Sequence, residues 1–261
     1  MNNSDQNNLN KPNVVEQQIK RRTFISFATF FAAGGAAYTG WRWLYNSPLE
    51  PKSITAGARV PLRRALSKTE LFFRRVFSNK HLVKTYPKSM AATKVRLNSY
   101  IGIEDTDFEH ENWQLMVKSK GEIFALTMKD ILALPKTEIV YDFKCVEGWD
   151  QIQHWAGVKF TDFIEHFQLQ AQSKMDYVGL ETPDGKYYVG LDMESALHPQ
   201  TLLAYEMNDQ PISAEHGAPL RLIVPVKYGI KNLKRIGIIT FSNSRPKDYW
   251  AERGYDYYSG L

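Results

Sequence analysis

The 261-residue chain has one cysteine, Cys145. That excludes an internal disulfide and any CxxC zinc site, and leaves a single thiol. No internal repeat is present, which excludes solenoid and propeller architectures. Acidic residues are scarce at the N-terminus. Residues 1–80 hold 13 Lys/Arg against 4 Asp/Glu, a balance of +9, and the rest holds 20 against 24, a balance of −4, giving the net charge of +5. The basic character therefore belongs to an N-terminal arm, and the remainder is mildly acidic. This argues against nucleic-acid binding by the folded part, where a basic face is expected. The arm is either a contact for anionic lipid headgroups or a solvated linker. Hydrophobic residues make up 43% of the chain, enough for a sizeable core in one large α+β unit plus an extension.

Residues 1–18 are rich in Asn and Gln and predict disorder. Lys20-Arg21-Arg22-Thr23-Phe24-Ile25 then opens an apolar run to about Tyr38. A positive start followed by an apolar stretch marks export, and Arg-Arg-x-Phe-Ile resembles the twin-arginine signal, with a general secretory signal or plain anchor as the alternative. Ala32, Gly34 and Ala37 offer small residues for cleavage, whereas Trp41, Trp43 and Tyr45 resemble an interfacial belt and favour a retained anchor. The reading is a tail and signal or anchor over residues 1–45, a basic connecting arm over 46–92 and one folded domain over 93–261. Within the arm, Arg63, Arg64, Arg74 and Arg75 alternate with Leu62, Leu66, Leu71, Phe72 and Phe73. This predicts an amphipathic helix laid on the domain or on a membrane, the domain being preferred.

From Thr93 onward, strands are predicted at 113–118 and 122–126 around Lys120-Gly121, at 137–143, at 177–182 and 187–192 flanking Asp184-Gly185, and at 202–207, 219–224 and 237–241. Thr127 with Asp130 predicts a helix start ended by Pro135, and 161–167 reads as a second helix. Many short strands with few helices give a mixed-sheet α+β fold.

The segment Asp142-Phe143-Lys144-Cys145-Val146-Glu147-Gly148-Trp149 sets the thiol directly after a strand, where sites are commonly built. Alone this is weak, since an isolated cysteine is most often a small buried hydrophobe. Two other segments add to it. His216-Gly217-Ala218-Pro219-Leu220-Arg221 runs through a buried-type strand into Lys227-Tyr228-Gly229-Ile230-Lys231-Asn232-Leu233-Lys234-Arg235. Arginine offers a planar fork of donors for a phosphate or a heterocycle carbonyl, and Gly229 permits close backbone approach. The bland alternative for this run is a surface turn with solvated lysines. Upstream, Asn98 is a donor and acceptor suited to a polar heterocycle, or a turn residue.

Phe-x-Cys-Val-Glu-Gly-Trp, then Trp155-Ala156-Gly157-Val158, then Glu181-Thr182, then His-Gly-Ala-Pro-Leu-Arg-Leu and Lys-Tyr-Gly-x-Lys occur in this order. The set resembles the sulfite oxidase-type molybdopterin-dependent oxidoreductases, and within them the catalytic subunits of periplasmic protein-methionine-sulfoxide reductases. The likeness covers roughly residues 93–250. It implies a sulfite oxidase-type molybdopterin-binding fold holding one molybdenum per chain, with Cys145 as metal ligand. It implies cofactor contacts from Asn98, Thr182, His216, Arg221, Asn232, Leu233 and Lys234, with Glu147 shaping the substrate side. The implied activity is oxygen-atom transfer to or from a small or protein-bound substrate, such as sulfoxide reduction. A membrane haem protein or small cytochrome would exchange electrons with it, and the enzyme would work outside the cytoplasm, anchored or free. Export of a folded, cofactor-loaded chain fits the twin-arginine pattern.

Three positions depart from the reductase pattern. His216 stands where Asn is usual, Val226 where Trp is common, and Ile101-Gly102 where Tyr-Glu is usual. They lie near the expected pocket and weaken the substrate assignment more than the cofactor assignment. No haem-binding segment is evident, and an end at Leu261 leaves no room for the dimerisation domain of full sulfite oxidases. A sulfite-type anion oxidase and a metal-free, membrane-tethered binding module are the alternatives.

Overall fold

A computed structural model describes residues 14–51, 57–76, 81–104, 108–119 and 121–261. Residues 1–13 and Lys120 of the expected 120–121 turn lie outside them. The chain forms two compact units, Met1–Leu49 with Arg59–Pro61, and Glu50–Ala58 with Leu62–Leu261.

The first unit is dominated by α1 (Val14–Asn46), so the expected disorder does not extend over 14–18. Its Phe24, Phe27, Phe30, Phe31, Trp41 and Trp43 are exposed. Among the described residues, no helix is long and apolar enough to cross a membrane. The predicted arm helix is present as α2 (Val60–Val76). The preferred burial of its apolar stripe on the domain is not what Leu62 and Leu66 show, since both are exposed, as is Phe72, while Arg63 is buried.

The second unit holds two sheets. The first has strand order β2-β1-β10-β5-β6, from β1 (Leu115–Ser119), β2 (Glu122–Leu126), β5 (Tyr177–Glu181), β6 (Tyr188–Asp192) and β10 (Ile238–Ser242). Only the β1–β10 pair is parallel, and a β1–β2 hairpin and a β5–β6 hairpin flank it. The second runs β3-β4-β7-β8 with β9 also on β7, from β3 (Lys136–Lys144), β4 (Asp150–Lys159), β7 (Leu202–Met207), β8 (Gln210–Pro211) and β9 (Arg221–Ile223). The mixed α+β class is as expected. Residues 81–92 already join the second sheet, earlier than Thr93, through Tyr86 N–H to Val140 O at 2.9 Å and Ala92 N–H to Ile152 O at 2.9 Å.

Short helices close the strand ends. α3 (Met128–Leu132) starts where the Asp130 carboxylate accepts from the Thr127 amide and hydroxyl, each at 2.7 Å. α4 (Phe160–His166) buries Phe160, Phe163 and Ile164, and α5 (Met193–Ala196) is capped by Asp192. The main core joins Leu115, Val117, Leu180, Val189, Ile239 and Phe163, and a smaller one joins Tyr141, Phe143, Trp155 and Leu202.

β4 is the strand that periodicity does not reveal. Gln153 and His154 are consecutive and both buried, so polar-out alternation is lost. Gln153 accepts from the Trp155 indole at 3.1 Å. At Gly157 the register with β7 shifts, and a Cβ there would lie 2.1 Å from Leu203 O. The motif glycine is thus explained by packing of two backbones. Gly157→Ala is predicted to destabilise by about 3 kcal/mol or more, because backbone rather than a flexible side chain must move. A urea midpoint within error of the parent chain would contradict this.

Candidate active site

β3 ends at Lys144 and delivers Cys145 to a tight turn. The Cys145 amide donates to Trp149 O at 2.9 Å, Gly148 N–H returns to Cys145 O at 3.1 Å, and Gly148 takes φ 85°. Cys145 is 5% exposed, yet it lines a cleft together with Asn98, Glu147, Tyr187, Gly229, Asn232 and Lys234. Burial raises its thiol pKa, while the backbone amides of Glu147 and Val146 and the guanidinium of Arg96 pull it down. Glu147 is exposed, and its carboxylate accepts from the Trp149 indole at 2.8 Å. The ring of Trp149 stacks on Phe143 at 5.9 Å and carries Arg96 at 4.7 Å, which steadies the turn.

The second wall comes from the basic run after β9. Far from being a solvated turn, Lys227, Lys231, Lys234 and Arg235 are all buried. Lys227 pairs with Asp192 at 2.9 Å, and Lys231 pairs with Asp248. Arg221 and Lys234 differ. Among the described residues neither has a carboxylate within ion-pair distance. Arg221 donates to His216 O at 2.8 Å and Asn232 O at 3.3 Å, lies over the Trp155 ring at 4.4 Å, and leaves its Nε without a hydrogen bond. Burial lowers its pKa to about 10. Lys234 donates to Ser99 O at 2.7 Å and Glu215 O at 2.9 Å, and burial beside Arg221 lowers its pKa to about 7. Lys234 at the cleft wall and Arg221 buried behind it, neither paired with a carboxylate, give this side of the cleft a positive potential that favours an anion.

Gly229 completes the wall. Its φ is not in the left-handed region, so its value is the missing Cβ, which would meet the Phe143 ring at 2.8 Å and Asn98 Nδ2 at 3.3 Å. Asn232 accepts from Val224 N–H at 2.7 Å and donates to Tyr228 O at 3.1 Å, so its side chain is engaged in shaping the loop.

Cys145, Glu147, Asn98, Asn232 and Lys234 therefore meet at one cleft. His216, Arg221, Leu233 and Thr182 do not line it. His216 is buried just behind, accepting from Ser213 at Nδ1 (2.9 Å) and donating from Nε2 to Val95 O (3.3 Å). That is a neutral ring, in keeping with the lowering of its pKa by burial and by Arg221. Leu233 is a core residue whose carbonyl accepts from Leu222 N–H at 2.8 Å. Thr182 accepts from Tyr187 N–H at 3.1 Å and lies 2.6 Å from Asp184 Oδ1, closing the β5–β6 hairpin. Tyr187 is thereby set in the cleft, its hydroxyl donating to Ile230 O at 2.6 Å. Tyr187, Trp250 and Tyr255 line the cleft and were not anticipated from sequence, where only a local richness in aromatics marks them.

The site residues fit a group that is anionic at one end and takes a soft sulfur ligand at the other. The thiol supplies the sulfur and Lys234 an ammonium with no carboxylate partner at the cleft wall, Arg221 adds its charge from behind, and the bare Cα of Gly229 lets Phe143 and Asn98 pack close beside the thiol. Elsewhere, Glu138, His154 and Asp209 converge, but the Lys88 ammonium contacts both carboxylates, at 2.6 and 2.9 Å.

The family profile described as oxidoreductase molybdopterin binding domain matches residues 102–250. The chain belongs to the sulfite oxidase-type molybdopterin-binding oxidoreductases. It is 35% identical over 187 residues to YedZ1 of Azospira oryzae, a subunit assigned to a protein-methionine-sulfoxide reductase, covering 71% of this chain and 70% of the relative. It is 35% identical to the protein-methionine-sulfoxide reductase catalytic subunit MsrP of Campylobacter jejuni, covering 59% of this chain and 58% of that one. For MsrP of Burkholderia mallei the identity is 34%, over 57% of this chain and half of that one. Among solved structures it is similar to the sulfane dehydrogenase SoxCD of Paracoccus pantotrophus, with TM-score 0.48 and 18% identity over 53% of this chain and 40% of that one. The family match makes the chain an oxidoreductase with a molybdopterin-binding domain.

The depressed pKa of Lys234 has a consequence for stability. An unfolded lysine titrates near 10.5, and the folded one near 7. Between those values the unfolded chain holds the extra proton, so the Lys234 contribution to stability rises with pH and its penalty is full below pH 7. In the cofactor-free protein, Lys234→Met is predicted to gain on the parent chain most at about pH 6 and progressively less towards pH 10. Urea midpoints of both proteins across that range measure it. A difference independent of pH would contradict the buried, destabilised ammonium.

Proposed function

We propose that the chain is a molybdenum-pterin enzyme that transfers an oxygen atom, working as a reductase of sulfoxides. The observation that carries this is the meeting of Cys145 with Lys234 and Asn232 in one cleft, with Arg221 immediately behind. When bound, the molybdenum-pterin group supplies a two-electron redox centre for oxygen-atom transfer. Cys145 Sγ is assigned as its protein ligand. Its proton leaves on binding, helped by the amides of Val146 and Glu147, because only the thiolate ligates metal. Asn98 and Lys234 are assigned to the anionic and heterocyclic parts, with Asn232 and the backbone of 232–234 shaping their wall and the Arg221 guanidinium adding its charge from behind. His216, neutral and fixed through Ser213 and Val95, holds the carbonyl that positions Arg221. Thr182 acts through Tyr187, and Leu233 anchors the loop in the core.

Glu147 stands at the exposed side of the cleft, where its carboxylate Oε2 is held by the Trp149 indole. Reducing a sulfoxide consumes two protons and two electrons and releases water. Glu147 is the acid–base group assigned to carry protons towards the substrate oxygen. Electrons require a separate carrier, a membrane haem protein or small cytochrome. The reading places the enzyme outside the cytoplasm, supported by the Arg21-Arg22 export pattern and by the likeness to the MsrP subunits.

Protein produced with cofactor biosynthesis intact is expected to carry about one molybdenum per chain, and Cys145→Ala to lose both metal and turnover, as expected for removal of a metal ligand. Absence of stoichiometric molybdenum in the parent chain would overturn the proposal in favour of a metal-free binding module. Methionine sulfoxide reduction with an artificial donor is compared with sulfite oxidation on the same preparation. Turnover of sulfite alone would favour the anion oxidase, a reading to which the unneutralised Arg221 and Lys234 lend some weight.

A further inference from the structure

The helix α2 exposes apolar side chains that an ordinary surface helix buries. At about 3.6 residues per turn, Leu62, Leu66 and Thr69 share one stripe, with Phe72 at its edge. A helix packed on a domain buries such a stripe. Here Leu62, Leu66 and Phe72 are 48%, 54% and 61% exposed, and the side chain turned inward is that of Arg63, at 5%. Arg64 and Lys68, four residues apart, form a second exposed stripe beside the apolar one. In sequence the helix carries five Arg/Lys against Glu70 alone. An exposed apolar stripe flanked by cations has one environment that satisfies both halves, a lipid interface with anionic headgroups. There the leucines and phenylalanine enter the acyl boundary and the long basic side chains reach back to the headgroups. A protein groove would satisfy the apolar stripe but would not by itself call for the cationic excess.

We propose that α2 is an interfacial membrane helix that docks this enzyme onto anionic phospholipid through Leu62, Leu66 and Phe72, with Arg64 and Lys68 at the headgroups. This docking is separate from α1 and does not require it to cross the bilayer. It holds the catalytic unit at the membrane surface through a segment that directly precedes it.

Hydrogen–deuterium exchange of the full chain, read on peptides spanning 60–76, isolates this helix from any binding by α1. Vesicles of phosphatidylglycerol with phosphatidylcholine are expected to slow exchange there, with at least about a tenfold preference over phosphatidylcholine alone, given two exposed cations. Leu66→Glu with Phe72→Glu is expected to abolish the protection and leave the melting temperature unchanged, since both side chains are exposed. Arg64→Glu with Lys68→Glu is expected to remove the preference for anionic lipid. Unchanged exchange in 60–76 on anionic vesicles overturns the proposal. So does equal protection by neutral vesicles, or protection that appears only with rising protein concentration and no lipid, which would assign the face to a second copy of the chain.

Discussion

The guanidinium of Arg221 is the point at which the two walls of the cleft are tied together. It sits on β9, is 2% exposed, and donates at once to His216 O and Asn232 O. Those carbonyls belong to the loops before and after the strand. Trp155 of β4 lies beneath it, and β4 pairs with β3, whose end carries Cys145. One buried cation thus fixes both loops against the sheet that presents the thiol. No carboxylate among the described residues neutralises it, so the geometry is kept at an electrostatic penalty. An apolar side chain of similar volume would fill the space without that penalty. It would also remove the donor that remains free at Nε.

The surrounding ion pairs have a different part. Lys227–Asp192 and Lys231–Asp248 bring two lysines of the same run into the core as neutral pairs. They hold the run down on α5 and on the C-terminal segment, so that Lys234 arrives at the cleft already buried. The run therefore separates into Lys227 and Lys231, which anchor it through carboxylates, and Lys234, which lines the cleft without one. Residue type does not tell them apart; their partners do, and those partners are distant in sequence.

Much of the scaffold was legible in the chain. β2 and β7 have the predicted bounds because their residues alternate or are strongly β-prone between clear turns, and Thr127 with Asp130 marked its helix start. Cys145 and the loop cations were found from motif order. β4 escaped because Gln153 and His154 are buried side by side, which erases the period of two. The alternative of a solvated basic run stayed open in the sequence because aspartates 35 and 17 positions away, Asp192 and Asp248, supply the neutralisation. The aromatic lining from Tyr187, Trp250 and Tyr255 depends on the hairpin and C-terminal loop meeting in space, which no local pattern encodes. For α2 the amphipathic pattern was right and the facing was not, since periodicity gives a stripe and not the direction it points.

The two titrating groups of the cleft complete the physical picture. Without a ligand, burial drives both towards their uncharged forms, the Cys145 thiol upward and the Lys234 ammonium down to about 7. On the proposed reading, a metal at Cys145 and an anion beside Lys234 would reverse both, since a metal displaces the thiol proton and an anion favours keeping one on the ammonium. The proton released at one wall can be matched by the proton taken up at the other. Loading then changes the charge of the groups far more than the proton count of the protein. On that reading, such a cleft would gain its full electrostatic strength only when sulfur ligand and ammonium act on the same bound group, which would tie recognition of the anionic end to ligation at the other.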